Sequence, residues 1–148
     1  MSTIARGVCV IAFVDDKVWL ATRINPDKVF FGLLSSPGGK VDGSERLIET
    51  CVREMKEETG LTIDHARFFW FRKDYRQYPN GDPYEVDTYL VRLEQHEKPS
   101  HMEPHIMSPW SDFPMHRIVR GSTLCMPGLQ DTVTWMWETL KAGKDITP

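Results

Sequence analysis

Glu54, Glu57 and Glu58 stand at i, i+3 and i+4 in a stretch with helical patterning. Their carboxylates therefore leave one helix within roughly a 100° sector. Three like charges at that spacing repel one another unless a cation or a basic partner offsets them. Oxygen-only donors of this kind suit Mg²⁺ or Mn²⁺, hard ions that keep several waters and bridge to substrate phosphates. A solvated helix face paired with Arg53 and Lys56 is the competing reading of the same glutamates. Just upstream, Gly38 and Gly39 permit a close backbone approach, which brings peptide groups within reach of a metal or a phosphate oxygen.

Such carboxylates need a helix to carry them and a sheet to seat the helix. The helical pattern spans Ser44 to Thr59, with Ser44 as N-cap, Glu45 in the first turn and Gly60 as the residue that ends it. Leu47, Ile48, Cys51, Val52 and Met55 fall on one arc and form its buried face. Gly7 to Val14 is an apolar, β-branched run that reads as a buried strand, and Lys17 to Arg23 reads as its hairpin partner across Asp15-Asp16. Asn25 to Ser36 reads as loop, and Pro37-Gly38-Gly39 is expected to break any regular element. Leu61 to Asp74 and Tyr84 to Glu94 read as further strands, joined by the turn-rich segment Gln77 to Pro83. Gln95 to Ser108 is polar loop. A second helix runs from Gly128 to Lys141, with Leu129, Val133, Met136, Trp137 and Leu140 at helical spacing. No repeat or linker interrupts the pattern, so residues 1–148 are expected to form one mixed α/β domain.

Bulk properties narrow the partners. A net charge of −3 and a pI of about 5.9 argue against binding a nucleic-acid polymer, which needs a basic stripe. They allow a small phosphorylated substrate, because a bound divalent ion inverts the local field. Cys9, Cys51 and Cys125 lie far apart and form no CxxC pair, as expected of a reducing compartment. Met1 to Arg6 lacks the apolar run of a secretory signal, and no stretch approaches the ~18 apolar residues of a membrane span. The expectation is a cytoplasmic protein that does not enter a membrane.

Gly39, Glu45, Arg53, Glu54, Met55, Glu57, Glu58, Gly60 and Leu61 fill every fixed position of the pattern G-x5-E-x7-R-E-U-x-E-E-x-G-U, where U is bulky and apolar. On these residues, 39–61, the chain resembles the Nudix hydrolases. The resemblance implies an α/β/α sandwich with a mixed sheet. It also implies Mg²⁺-dependent hydrolysis, by water attack at phosphorus, of a nucleoside diphosphate linked to another moiety. One of the motif's glutamates, or one elsewhere, would accept the water's proton, the family varying in which, and Glu54 is the candidate in MutT-like members. Gly39, Glu54, Glu57 and Glu58 would hold the metal, with Arg53 and Glu45 orienting helix and loop and Gly60 closing the motif.

Outside the motif, the MutT-like pattern implies a further metal-binding glutamate in a loop before a tryptophan. Glu103, seven residues before Trp110, is the candidate, although Pro109 stands where a Glu commonly precedes that Trp. Arg23, Gly38, Lys40, Tyr78 and Trp110 are the candidate substrate contacts. A tyrosine near position 78 marks some diadenosine-polyphosphate hydrolases, and a proline slightly before Pro79 marks ADP-ribose hydrolases. His101 and His105 flank Glu103, but Pro104 argues against a helix that would align them on zinc. The expected reaction converts a nucleoside triphosphate to a monophosphate and pyrophosphate. Alternatives are a dinucleoside polyphosphate, ADP-ribose or nucleotide-sugar hydrolase, and a nucleotide-binding module without activity. Isomerisation of an isoprenoid diphosphate would want a cysteine and a His/Glu set that find no place here. Homodimers are common in the family.

Overall fold

The computed structural model describes residues 4–121 and 124–148. Part of the polar start, Met1–Thr3, thus lies outside the described residues. The strands are β1 (Ala5–Val14), β2 (Lys17–Thr22), β3 (Leu34–Ser35), β4 (Gly38–Lys40), β5 (Phe69–Gln77), β6 (Pro83–Arg92) and β7 (Ser111–Pro114). The helices are α1 (Leu47–Thr59), α2 (Met115–Val119) and α3 (Leu129–Lys141).

One mixed sheet runs in the order β3-β2-β1-β6-β5, with β4 also paired to β1 and β7 to β2. The central pair, β1 and β6, is parallel from Ala5↔Tyr84 to Phe13↔Arg92, and the other pairings are antiparallel. The parallel pair explains why β1 is apolar on both sides: helices cover both faces. Val8, Val10 and Ala12 pack with Cys51 and Met55 of α1. Ile11 and Phe13 pack with Met115 and Ile118 of α2 and Leu129, Val133 and Met136 of α3. The result is the expected α/β/α sandwich. Among the described residues, no helix is long and apolar enough to cross a membrane.

Four local expectations are corrected. Helix α1 begins at Leu47 and Arg46 is its N-cap, so Ser44 does not cap it. The Glu49 carboxylate reaches back to the Arg46 N–H (2.9 Å), while Glu45 is drawn away to Thr50 Oγ1 (2.7 Å) and Arg53. The C-terminal end is as expected, with Gly60 left-handed at φ 77° and its N–H on the Lys56 carbonyl. Gly38 and Gly39 do not break the sheet; they form β4, antiparallel to Gly7–Cys9. The strand expected from Leu61 begins only at Phe69, because Asp64 caps a 3-10 turn over His65–Arg67 by accepting the Ala66 N–H (2.8 Å). It then runs to Gln77, beyond the expected Asp74. Finally, β7 and α2 occupy a stretch for which no element was expected, and β3 forms inside the expected loop.

Candidate active site

Arg53 organises the carboxylates. Its Nε and Nη2 donate to the two oxygens of Glu45 at 2.8 and 3.0 Å. Its Nη1 donates to Glu54 at 2.7 Å and to Glu57 at 3.2 Å, and Nη2 also reaches the Lys40 carbonyl at 2.9 Å. A planar, permanently charged fork is needed for this many acceptors in fixed directions. Glu45 is consequently held down at about 2, first by its hydrogen bonds to Arg53 and then by Thr50.

The glycines of β4 leave room for close neighbours, a carboxylate at Gly39 and the β1 backbone at Gly38. A Cβ at Gly39 would fall on the Glu54 carboxyl group, and one at Gly38 would fall on the Val8 carbonyl. The Gly38 N–H donates to Glu58 Oε2 at 2.6 Å. Burial is the main cause that pushes the Glu58 carboxyl up to about 8; the Gly38 N–H opposes it, and the charges of Glu54 and Glu103 add to it. Glu54 is raised as well, again by burial first, with Arg53 opposing and Glu57 and Glu103 adding. Glu54, Glu58 and Glu103 are thus near enough to feel one another. Among the described residues, no three His, Cys, Asp or Glu side chains are gathered closely enough to hold a metal ion as they stand.

Glu58 also borders a cavity of about 240 Å³ between the end of β4, the start of β1 and the loop between β2 and β3. Its walls are mainly apolar. Tyr78 and Tyr84 stack there at 4.4 Å, and Phe30 follows Tyr78 at 6.2 Å. At the floor, Cys9 Sγ and Ser36 Oγ are 2.8 Å apart, and burial raises the Cys9 thiol. The site therefore joins an aromatic slot to a carboxylate cluster.

Arg23, Gly38, Gly39, Lys40 and Tyr78 all line this cavity. Arg23 is engaged by the neighbouring loop, donating from Nε to the Val29 carbonyl at 3.1 Å. Glu103 begins a turn in which its carbonyl accepts from Ile106 and Met107. Trp110 stands apart from these: it lies outside the cavity lining and is buried with Ala21 and Met107. Its Nε1–H donates to the Glu58 carbonyl at 3.0 Å, so it braces the end of α1. His101 is likewise committed, with Nε2 2.7 Å from the Met107 carbonyl. The Asn25–Ser36 loop and the Tyr75–Tyr84 turn were expected from sequence to choose the nucleotide, but Phe30 and Tyr84 within them, and Cys9, were not singled out as site residues. No short spacing connects them, and only the parallel β1–β6 pairing and the β2–β3 loop bring them together.

A model of the NUDIX domain matches residues 3–122. Among solved structures, the chain is similar to a MutT NUDIX hydrolase from Burkholderia pseudomallei, with 22% identity and a TM-score of 0.69 over 85% of this chain and 90% of that one. It is also similar to the NUDIX domain of Shewanella oneidensis NrtR complexed with ADP ribose, with 18% identity and a TM-score of 0.76 over 95% and 90%. An Ap4A hydrolase from C. elegans gives 15% identity and a TM-score of 0.71 over 95% and 99%. No curated protein sequence matches the chain significantly. At these identities the solved structures speak to the fold.

Proposed function

The chain belongs to the Nudix family of hydrolases, and we propose that it cleaves a nucleoside triphosphate to a nucleoside monophosphate and pyrophosphate. The observation that carries this reading is the adjacency of slot and carboxylates: Glu58 borders the same cavity as Tyr78, Tyr84 and Phe30. A flat base suits the aromatic walls, and its phosphates then lie toward the charged end. A cavity of about 240 Å³ favours one nucleoside held inside, with the leaving group outside.

The donors fit a divalent ion. All are oxygens, and burial together with the nearby charges of Glu54 and Glu103 makes the ionised form of Glu58 costly, a cost that a bound cation would offset. An open arrangement suits an ion that keeps its own waters. Glu54, Glu57, Glu58 and Glu103, with the backbone at Gly39, would hold Mg²⁺ or Mn²⁺. When bound, the ion offsets the diphosphate charge and makes a water more acidic.

The chain's own residues do the rest. Arg53 bridges Glu54 and Glu57 through Nη1, at 2.7 and 3.2 Å, and so aims both. Glu54 accepts the proton of the attacking water as its oxygen bonds to phosphorus. The P–O bond on the far side of the attacked phosphorus breaks, and the departing monophosphate or pyrophosphate takes the electron pair. Lys40, exposed at the rim, offers a positive charge to the phosphates. The Gly38 N–H fixes Glu58 throughout.

The test is turnover of a nucleotide panel with and without Mg²⁺ in ¹⁸O-labelled water. Mg²⁺-dependent release of pyrophosphate, with label in one product, is expected. Absence of label from both products of every substrate overturns the hydrolase reading. Preferred cleavage of dinucleoside polyphosphates or ADP-ribose overturns the triphosphate assignment alone.

A further inference from the structure

Phe30 has φ +65°, a left-handed backbone that bulky side chains avoid and glycine adopts freely. Among the described residues, Asp15 is the other non-glycine with positive φ, and it sits in the β1–β2 turn, where aspartate tolerates that region. Phe30 has no such excuse.

The neck of its loop is closed by Arg23. The Arg23 N–H donates to the Leu33 carbonyl (3.0 Å), its carbonyl accepts the Gly32 N–H (2.8 Å), and Nε donates to the Val29 carbonyl (3.1 Å). A further turn bond runs from the Leu33 N–H to the Phe30 carbonyl (3.2 Å). These bonds hold the backbone where it would not rest by itself. The consequence is a choice between adjacent phenylalanines. Phe30 lines the cavity, whereas Phe31 is 54% exposed and lies outside the lining.

The selected ring extends an aromatic ladder. Tyr84 and Tyr78 are in stacking contact at 4.4 Å, with planes 29° apart. Phe30 stands off from Tyr78 at 6.2 Å, tilted 33°, so its own faces are less engaged. An apolar ring held against the local backbone preference, and only loosely met by its protein neighbour, is suited to meet a ligand ring.

We propose that Phe30 is a specificity-determining residue. Held at the cavity wall by the Arg23 neck, it packs against the flat heterocycle of a nucleotide and so selects diphosphates that carry a base over those that carry a sugar or alkyl group alone. This rests on the proposed function, because it takes the same cavity as the substrate site.

The experiment is equilibrium binding of 2-aminopurine riboside 5′-monophosphate, followed by its fluorescence, with ribose 5-phosphate as a base-free competitor. Phe30→Gly fits the left-handed backbone, so its melting temperature is expected to stay level or rise. Its affinity for the fluorescent nucleotide is expected to fall roughly fivefold or more, the low end for one base–aromatic stack. Ribose 5-phosphate should compete equally with both proteins, and Phe31→Ala should bind as the parent does. Nucleotide affinity within twofold of the parent in Phe30→Gly overturns the assignment, as does an equal loss for ribose 5-phosphate. If the parent hydrolyses nucleotides while Phe30→Gly is indifferent, Phe30 alone is misassigned. If the parent neither binds nor hydrolyses nucleotides, the proposed function fails and this inference fails with it.

Discussion

Gly39 of β4 and the Glu54 carboxyl group of α1 share one space: a Cβ on the glycine would fall on the carboxylate. Gly39→Ala should therefore displace Glu54 without unfolding the protein, since a strand accepts alanine. A misplacement on the order of 1 Å in a catalytic group costs about 100-fold in rate. Expected is a kcat drop of that size with unchanged circular dichroism. Parental kcat in a folded Gly39→Ala protein would remove Glu54 from the chemistry.

Arg53 touches Glu45, Glu54, Glu57 and the Lys40 carbonyl at once. A lysine offers a single point charge and cannot span these acceptors. Arg53→Lys should lower kcat about 10- to 100-fold and weaken Mg²⁺ affinity, as losses in the shell around a metal site do. Glu57→Gln should abolish Mg²⁺-dependent turnover and leave the fold intact, because the Glu57 side chain is 54% exposed and packs in no core. Both are read from Mg²⁺ titrations of initial rate, and near-parental titrations contradict the metal-site assignment.

Trp110 distinguishes support from contact. Its Nε1–H holds the Glu58 carbonyl near the end of α1, and its ring packs with Ala21 and Met107. Trp110→Phe keeps most of the apolar packing and loses the hydrogen bond, a cost of about 1 kcal/mol. The melting temperature should drop by roughly 2–4 °C, with KM for the nucleotide unchanged. A raised KM at a parental melting temperature would return Trp110 to the substrate site.

The carboxylate helix was legible because every signal in it is local. Apolar spacing, the Gly60 terminator and the glutamate triplet lie within one stretch of chain, and α1 ends where they say. Its start was not, because Glu45, placed by pattern in the first turn, is captured by Arg53 eight residues on. Gly38 and Gly39 read as breakers, since glycine has weak strand preference. They are strand residues because β1 comes too close for any larger side chain at Gly38. The short α2 carries too few residues to show a period, and the aromatic slot unites β2–β3 loop, β5–β6 turn and β6 through topology alone. Local chemistry is written in sequence; the cavity that serves it is assembled at long range.

Arg67 and Glu97 provide a test of that long-range scaffold. The guanidinium of Arg67, in the 3-10 turn before β5, donates to both Glu97 oxygens (2.9 and 2.6 Å) and to the Arg92 carbonyl at the end of β6 (2.8 Å). These hydrogen bonds are the main cause that holds the Glu97 carboxyl down at about 2. A carboxyl depressed by folding binds its proton more tightly in the unfolded chain, near pH 4.3. Its contribution is therefore fully present above that pH and is lost as pH falls through the folded value. Glu97→Gln removes the charge and should cost about 1 kcal/mol at pH 7, the upper range for a partly exposed pair. That corresponds to roughly 2–4 °C in melting temperature. The gap to the parent should stay constant from pH 7 to about 5, then narrow toward pH 2 as the parent loses the same charge. Thermal melts of both proteins across that range read it directly. A gap that stays constant down to pH 2 would mean that Glu97 is not held ionised by Arg67.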